Sequence, residues 1–220
     1  MFLVFDLDGT LIDSIGDLVV AVNRLVVERG GRVLSHDAVS KLVGDGANLL
    51  IARAFDASGV RDDPQEALPR FLEIYDGVLP GSTRPYPGVP EMLRALEGAV
   101  PLAVLTNKPA AATRKILSIL GLERCFREVI GGDGPFRRKP NPDGLLHLIA
   151  EAGADPDRTL MIGDSTVDLL TAQAAATRAC IVRYGFGFAA FDRAQLRGGE
   201  VFVSHPSDVV ALVSGCRDAG

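Results

Sequence analysis

Four short segments of the chain carry side chains of the kinds that bind anions and hard cations. Asp6-Leu7-Asp8-Gly9-Thr10 places two carboxylates two residues apart, and Gly163-Asp164-Ser165 adds another, with Asp168 four residues on. Thr106-Asn107-Lys108 offers a hydroxyl, an amide and an ammonium, and Arg137-Arg138-Lys139-Pro140 a run of cations. Mg²⁺ takes oxygen ligands and keeps several waters, so paired carboxylates suit it. Hydroxyls, backbone amides and a lysine suit phosphate oxygens. Each segment alone has a plainer explanation. Asp-Gly is a common turn pair, Thr106-Asn107 a helix cap, Gly163-Asp164 a helix start, and Lys139 beside two arginines a solvated charge cluster. Four together point to one polar crevice.

The flanking residues supply the elements that would hold them. Phe2-Leu3-Val4-Phe5 is a short apolar run ending in carboxylates, as a buried strand would. A helical pattern spans 14–29, with Ile15, Leu18, Val19, Val22, Leu25 and Val26 on one face, and Gly30-Gly31 stops it. Helices are predicted over 37–43, 47–57 and 65–79, the last with an awkward Pro69. After the loop-forming stretch from Pro80 to Gly88 the rhythm changes. Strands at 102–105, 128–130, 159–162, 179–182 and 201–203 alternate with helices at 89–97, 110–120, 144–152, 166–175 and 207–213. Such alternation means βαβ units, hence an α/β fold with a doubly wound, Rossmann-like parallel sheet. The all-helical stretch reads as an insertion. The expected organisation is a core domain of 1–13 and 83–220 with a helical cap domain of 14–82. In open parallel sheets ligands bind beyond the carboxyl ends of the strands, where all four polar segments fall.

Composition narrows the partners. The 220 residues carry 23 basic and 28 acidic side chains, a net charge of −5 that argues against nucleic acid or an anionic membrane. No apolar run is long enough for a membrane span, and a cytoplasmic protein is expected. Cys125, Cys180 and Cys216 are widely spaced without CxxC, so they read as small hydrophobes in a reducing compartment. His36, His147 and His205 have no triad or ligand spacing.

In order and spacing, Asp6-Leu7-Asp8-Gly9-Thr10-Leu11, Thr106-Asn107, Lys139 and Gly163-Asp164 with Asp168 resemble the signature elements of the haloacid dehalogenase-like phosphatase superfamily. Within it the phosphoglycolate phosphatase family is most similar. That likeness runs through Val43-Gly44-Asp45-Gly46-Ala47, Tyr86-Pro87-Gly88-Val89, Ala103 to Pro109 and Ile130-Gly131-Gly132-Asp133. Asn141-Pro142-Asp143-Gly144 lacks a proline often found there, and Thr166-Val167 replaces a commoner polar pair. The resemblance implies a Mg²⁺-dependent phosphomonoesterase working through an aspartyl-phosphate on a small phosphorylated metabolite, 2-phosphoglycolate first. Asp6 would be the nucleophile and Asp8 the acid and base, steadied by Thr10. Thr106, Asn107 and Lys139 would hold the phosphate. Asp6, the Asp8 carbonyl, Asp164 and Asp168 would hold the metal. Lys41, with backbone amides at the helix start after Gly46, is expected to receive the substrate carboxylate. Phosphomutases and phosphatases of sugar phosphates or pyrophosphate share these motifs, and signalling receivers share the residue types without an inserted cap. Monomer and homodimer are both open.

Overall fold

The computed structural model describes residues 1–215, so Cys216 lies outside the described residues. Six parallel strands form the central sheet: β1 (Phe2–Phe5), β4 (Leu102–Leu105), β5 (Glu128–Ile130), β6 (Thr159–Gly163), β7 (Arg178–Val182) and β8 (Val201–Val203). Their spatial order is β5-β4-β1-β6-β7-β8, which puts β1 in the middle. Its alternation divides the core. Leu3 and Phe5 pack into the cluster on one face, and Phe2 and Val4 into the cluster on the other. Being buried on both faces is why β1 reads as a continuous apolar run.

Helices cover both faces, as the short parallel crossovers require: α5 (Val89–Leu96), α6 (Ala110–Ile119), α7 (Asp143–Ala152), α8 (Thr166–Ala174) and α9 (Pro206–Gly215). Between β1 and the rest of the sheet lie α1 (Ile15–Glu28), α2 (His36–Ser40), α3 (Ala47–Ser58) and α4 (Pro64–Val78). These four pack on one another, α1 against α2, α3 and α4, and α3 against α4. In α4 the chain continues through Pro69 without a break. Pro69 has no N–H to offer the carbonyl of Gln65, but both residues are exposed, so water can take its place. Helix α2 ends at Ser40, short of the expected 43, because residues 41–46 turn before Gly46 caps α3.

One element was not evident in the sequence. β2 (Ile12–Asp13) pairs antiparallel with β3 (Arg84–Pro85), Ile12 opposite Pro85 and Asp13 opposite Arg84. Beside this ribbon Asp17, 2 % exposed, accepts from Ser82 N (2.6 Å), Ser82 Oγ (2.7 Å), Thr83 N (3.1 Å) and Thr83 Oγ1 (2.7 Å). Burial alone would raise the Asp17 carboxyl, but these bonds outweigh it and hold the group below its ordinary 3.8. A depressed folded pKa means the unfolded chain binds the proton first. The contribution is therefore complete at neutral pH, fades as the pH nears 3.8 and is lost below the folded pKa. Asp17→Asn should lower unfolding free energy at pH 7 by about 1.5–3 kcal/mol, the range for hydrogen bonds to a charged group. In denaturant titrations the gap between variant and wild type should close as the pH falls below that window.

Candidate active site

The tip of β1 is pinned where its carboxylates begin. Asp6 N donates to Ile162 O (2.8 Å), extending the ladder one residue past the strand, and Thr106 N does the same to Ile130 O (3.0 Å). The carboxyl ends of β1, β4 and β6 thereby bring Asp6, Thr106 and Asp164 to one cavity, with Lys139 from the loop before α7. The insert closes it with Val43, Gly44, Gly46, Phe71 and Tyr75 among others.

At its floor Asp6, Asp164 and Asp168 are all buried, and one oxygen of each lies within 4.8 Å of the others. Lys139 Nζ bridges two of them, 2.7 Å from Asp6 Oδ1 and 2.6 Å from Asp168 Oδ1. Asp168 caps α8 with its other oxygen, accepting from Ser165 Oγ (2.6 Å) and Ser165 N (3.1 Å). Asp164 Oδ2 accepts from Gly187 N at 2.7 Å. Burial pushes the Asp6 carboxyl up to about 6, against the pull of Lys139, with Asp168 adding to the rise. Burial likewise raises Asp164 well above the carboxylate range, with Asp168 and Asp6 behind it. Burial opposes the charge on Lys139 too, but Asp168 and Asp6 hold it protonated. Three ionised carboxylates against one ammonium leave two negative charges uncompensated in a dry site, which is costly. An all-oxygen donor set short of two positive charges fits a hard divalent cation.

Asp8 is turned away from this cluster. Lys108 Nζ donates to both its oxygens at 3.0 Å, and Ser14 Oγ donates to Oδ1 at 2.5 Å. Burial disfavours the Lys108 ammonium, yet Asp8 keeps it charged. The Tyr75 ring lies over it, centroid 4.6 Å from Nζ, and burial pushes the Tyr75 phenol up to about 12. Tyr75 is thus a neutral hydroxyl.

Several expected contacts differ. Thr10 is buried but its Oγ1 has no partner, so Ser14 and Lys108 steady Asp8 in its place. The Asn107 side chain does not point free into the cavity. Its Oδ1 accepts from Lys139 N (2.9 Å), and its Nδ2 donates to Lys139 O (3.0 Å) and Gly44 O (3.1 Å). It splints the Lys139 loop and ties it to the insert. Lys41 lies outside the cavity, exposed and paired with Asp37 at 2.7 Å one helical turn away. Gly46 does line the cavity, at φ +91°, and a Cβ there would press on Asn107 O and Arg138. Of the three consecutive cations only Lys139 turns inward, while Arg137 pairs with Asp143 (2.8 Å) at the surface. Ser14 and Tyr75 carried no signal separating them from ordinary helix residues, whereas Lys108 stood in the Thr106-Asn107-Lys108 segment as a cation suited to phosphate and is found instead on Asp8.

Fold and site together define a doubly wound α/β protein with a cavity at the carboxyl edge of its sheet where buried carboxylates and lysines meet. The model of haloacid dehalogenase-like hydrolases matches residues 3–182. The chain belongs to that family. It is 39 % identical over 187 residues to a phosphoglycolate phosphatase of Agrobacterium fabrum, spanning 83 % of this chain and 80 % of that one. A second, from Rhodospirillum rubrum, is 40 % identical over 191 residues, with 83 % and 79 % covered. The crystal structure of a predicted phosphoglycolate phosphatase from Haemophilus somnus superposes with a TM-score of 0.88 at 30 % identity, covering 96 % of each chain. Among the described residues no helix is long and apolar enough to cross a membrane.

Gly9 follows Asp8 at φ +86°, and a Cβ on it would fall 2.0 Å from Asp164 Oδ2. Gly9→Ala should therefore displace Asp164 and weaken divalent-cation affinity by about 10- to 100-fold, as changes that misorient a ligand do. Calorimetric titration with Mg²⁺ reads this, with an unchanged far-ultraviolet circular dichroism spectrum showing that the fold persists.

Proposed function

We propose that the protein is a divalent-metal-dependent phosphomonoesterase that forms an aspartyl-phosphate on Asp6 and hydrolyses 2-phosphoglycolate to glycolate and phosphate. The observation that carries the reading is the pairing of two differently held carboxylates at one strand tip. Asp6 faces Lys139 in the carboxylate cluster, and Asp8 is gripped by Lys108 and Ser14 at the cavity wall. The names of the relatives support the substrate.

Asp6, Asp164 and Asp168, with the Asp8 carbonyl, would hold Mg²⁺, which when bound neutralises charge on the phosphoryl oxygens and keeps the cluster ionised. Lys139 positions Asp6 for in-line attack and neutralises phosphoryl oxygens together with Thr106 and the backbone amides after it. Attack by an Asp6 oxygen on phosphorus breaks the bond to the glycolate oxygen, and Asp8 donates its proton to that oxygen. Asp8 then takes a proton from the water that attacks the acyl-phosphate, which restores Asp6 and frees phosphate. The insert acts as a cap over these steps. Its side chains Phe71, Leu72 and Leu50 wall the cavity and exclude bulk water.

Phosphate release from 2-phosphoglycolate should require Mg²⁺ and be lost in Asp6→Asn. In Asp8→Asn it should fall by about 10²- to 10⁴-fold, the usual share of a general acid–base group. With p-nitrophenyl phosphate, whose leaving group needs little protonation, burst measurements of phosphoenzyme formation should show a smaller loss for Asp8→Asn. No release from 2-phosphoglycolate by the wild type with Mg²⁺ would refute the assignment.

A further inference from the structure

The cavity has a second cationic pole that phosphate and metal leave unused. Among the described residues that line it, the lysines are Lys139 and Lys108, and no arginine joins them. Lys139 is committed to Asp6 and Asp168. Lys108 spends two N–H bonds on the oxygens of Asp8, at 3.0 Å each, and an ammonium has three. Tyr75 lies beside it, 3 % exposed, and its hydroxyl, though close enough to Lys108 to interact with it, makes no hydrogen bond of ordinary length to any group. A buried hydroxyl left unpaired costs free energy that a ligand recovers by completing it. The surrounding wall, Leu18, Phe71 and Leu72, offers no acceptor. Two donors, one of them charged, in an apolar wall call for an anion.

We infer that Lys108 and Tyr75 form a carboxylate subsite that reads the leaving-group end of the substrate, making the preferred class phosphate monoesters of short hydroxy acids. The inference rests on the phosphomonoesterase reading above. It places the specificity element on a strand-end lysine and on α4, in place of the exposed Lys41. Geometry limits the spacer. An acceptor on the third N–H of Lys108 lies about 5 Å from the Asp8 oxygens, given hydrogen bonds of ordinary length and a tetrahedral ammonium. The leaving oxygen sits one hydrogen bond from Asp8. A carboxylate one carbon from that oxygen spans the remaining gap, whereas a longer chain must fold back. A sugar hydroxyl could accept the third N–H of Lys108 but would bring no charge to it, and so would gain less than a carboxylate.

The test compares kcat/KM for 2-phosphoglycolate with that for phosphoglycolamide, in which the carboxylate is a neutral amide of the same shape. Wild type should favour the carboxylate by about 10- to 150-fold, the worth of a hydrogen bond between charged groups. Lys108→Met should bring that ratio close to one. Tyr75→Phe keeps the ring over Lys108 and removes only the hydroxyl, and should reduce the ratio by about 2- to 12-fold. It carries the test if Lys108→Met does not fold. Parallel losses on both esters, with the ratio unchanged, would overturn the subsite and leave Lys108 as a positioning residue for Asp8 alone. Turnover of neither ester by the wild type would overturn the phosphatase reading, and the subsite with it.

Discussion

Everything in this molecule is arranged around the problem of burying Asp6, Asp164 and Asp168 together. Like charges in a dry site repel, and burial makes Asp6 and Asp164 harder to ionise. The fold manages this with one lysine bridging two of them, the start of α8 donating from Ser165 to Asp168, and a backbone amide from Gly187 on Asp164. The backbones that carry Asp6 and Asp164 are held side by side, because β1 and β6 pair in register through Phe5 and Ile162 just below. The strands fix the separation of the charges, and the charges in turn dictate which residues the neighbouring loops must supply. Gly9 illustrates the second half. Any side chain there would occupy the space that Asp164 needs.

The sheet and the floor of the site were legible in the sequence for a physical reason. A doubly buried parallel strand is a short apolar run, and the polar residue that follows it can only lie at the strand's carboxyl end. Asp6, Thr106 and Asp164 therefore declared themselves by position as much as by type. What escaped notice depends on contacts between residues far apart in the chain. Lys108 and Asp8 are a hundred residues apart, and Ser14 looks like a helix cap while its hydroxyl in fact serves Asp8. Asn107 appeared suited to an anion because of its neighbours. Its amide is consumed by the Lys139 backbone and Gly44, and only coordinates reveal that all its hydrogen-bonding atoms are engaged. Lys41 stood close in sequence to a glycine-rich turn that does reach the cavity. The four-residue spacing from Asp37 instead turns it toward that carboxylate and solvent.

The two lysines of the cavity divide the work. Each is buried, each contacts one aspartate of the first motif, and each stays protonated because carboxylates outweigh the cost of burial, Asp8 for Lys108 and Asp168 with Asp6 for Lys139. They differ in what surrounds them. Lys139 sits among carboxylates at the sheet, a polar setting suited to phosphate chemistry, while Lys108 sits under an aromatic ring contributed by the insert. The same type of side chain thus meets two environments, one built by the sheet and one completed by the helices above it.

The pairing of Ile12 with Pro85 and Asp13 with Arg84 has a consequence for how such a protein diversifies. The chain leaves the sheet and returns to it at adjacent points, and Asp17 clasps Ser82 and Thr83 across the gap. From the sheet's side, the whole insert is a loop whose two ends already touch. Segments joined to a host at adjoining points are tolerated as insertions because their length and internal order place no strain on the host. The helices between could be shortened, extended or replaced over generations while the strap holds the strand tips in place. Selection on what the cavity admits would then act on one module, leaving the phosphoryl-handling machinery untouched.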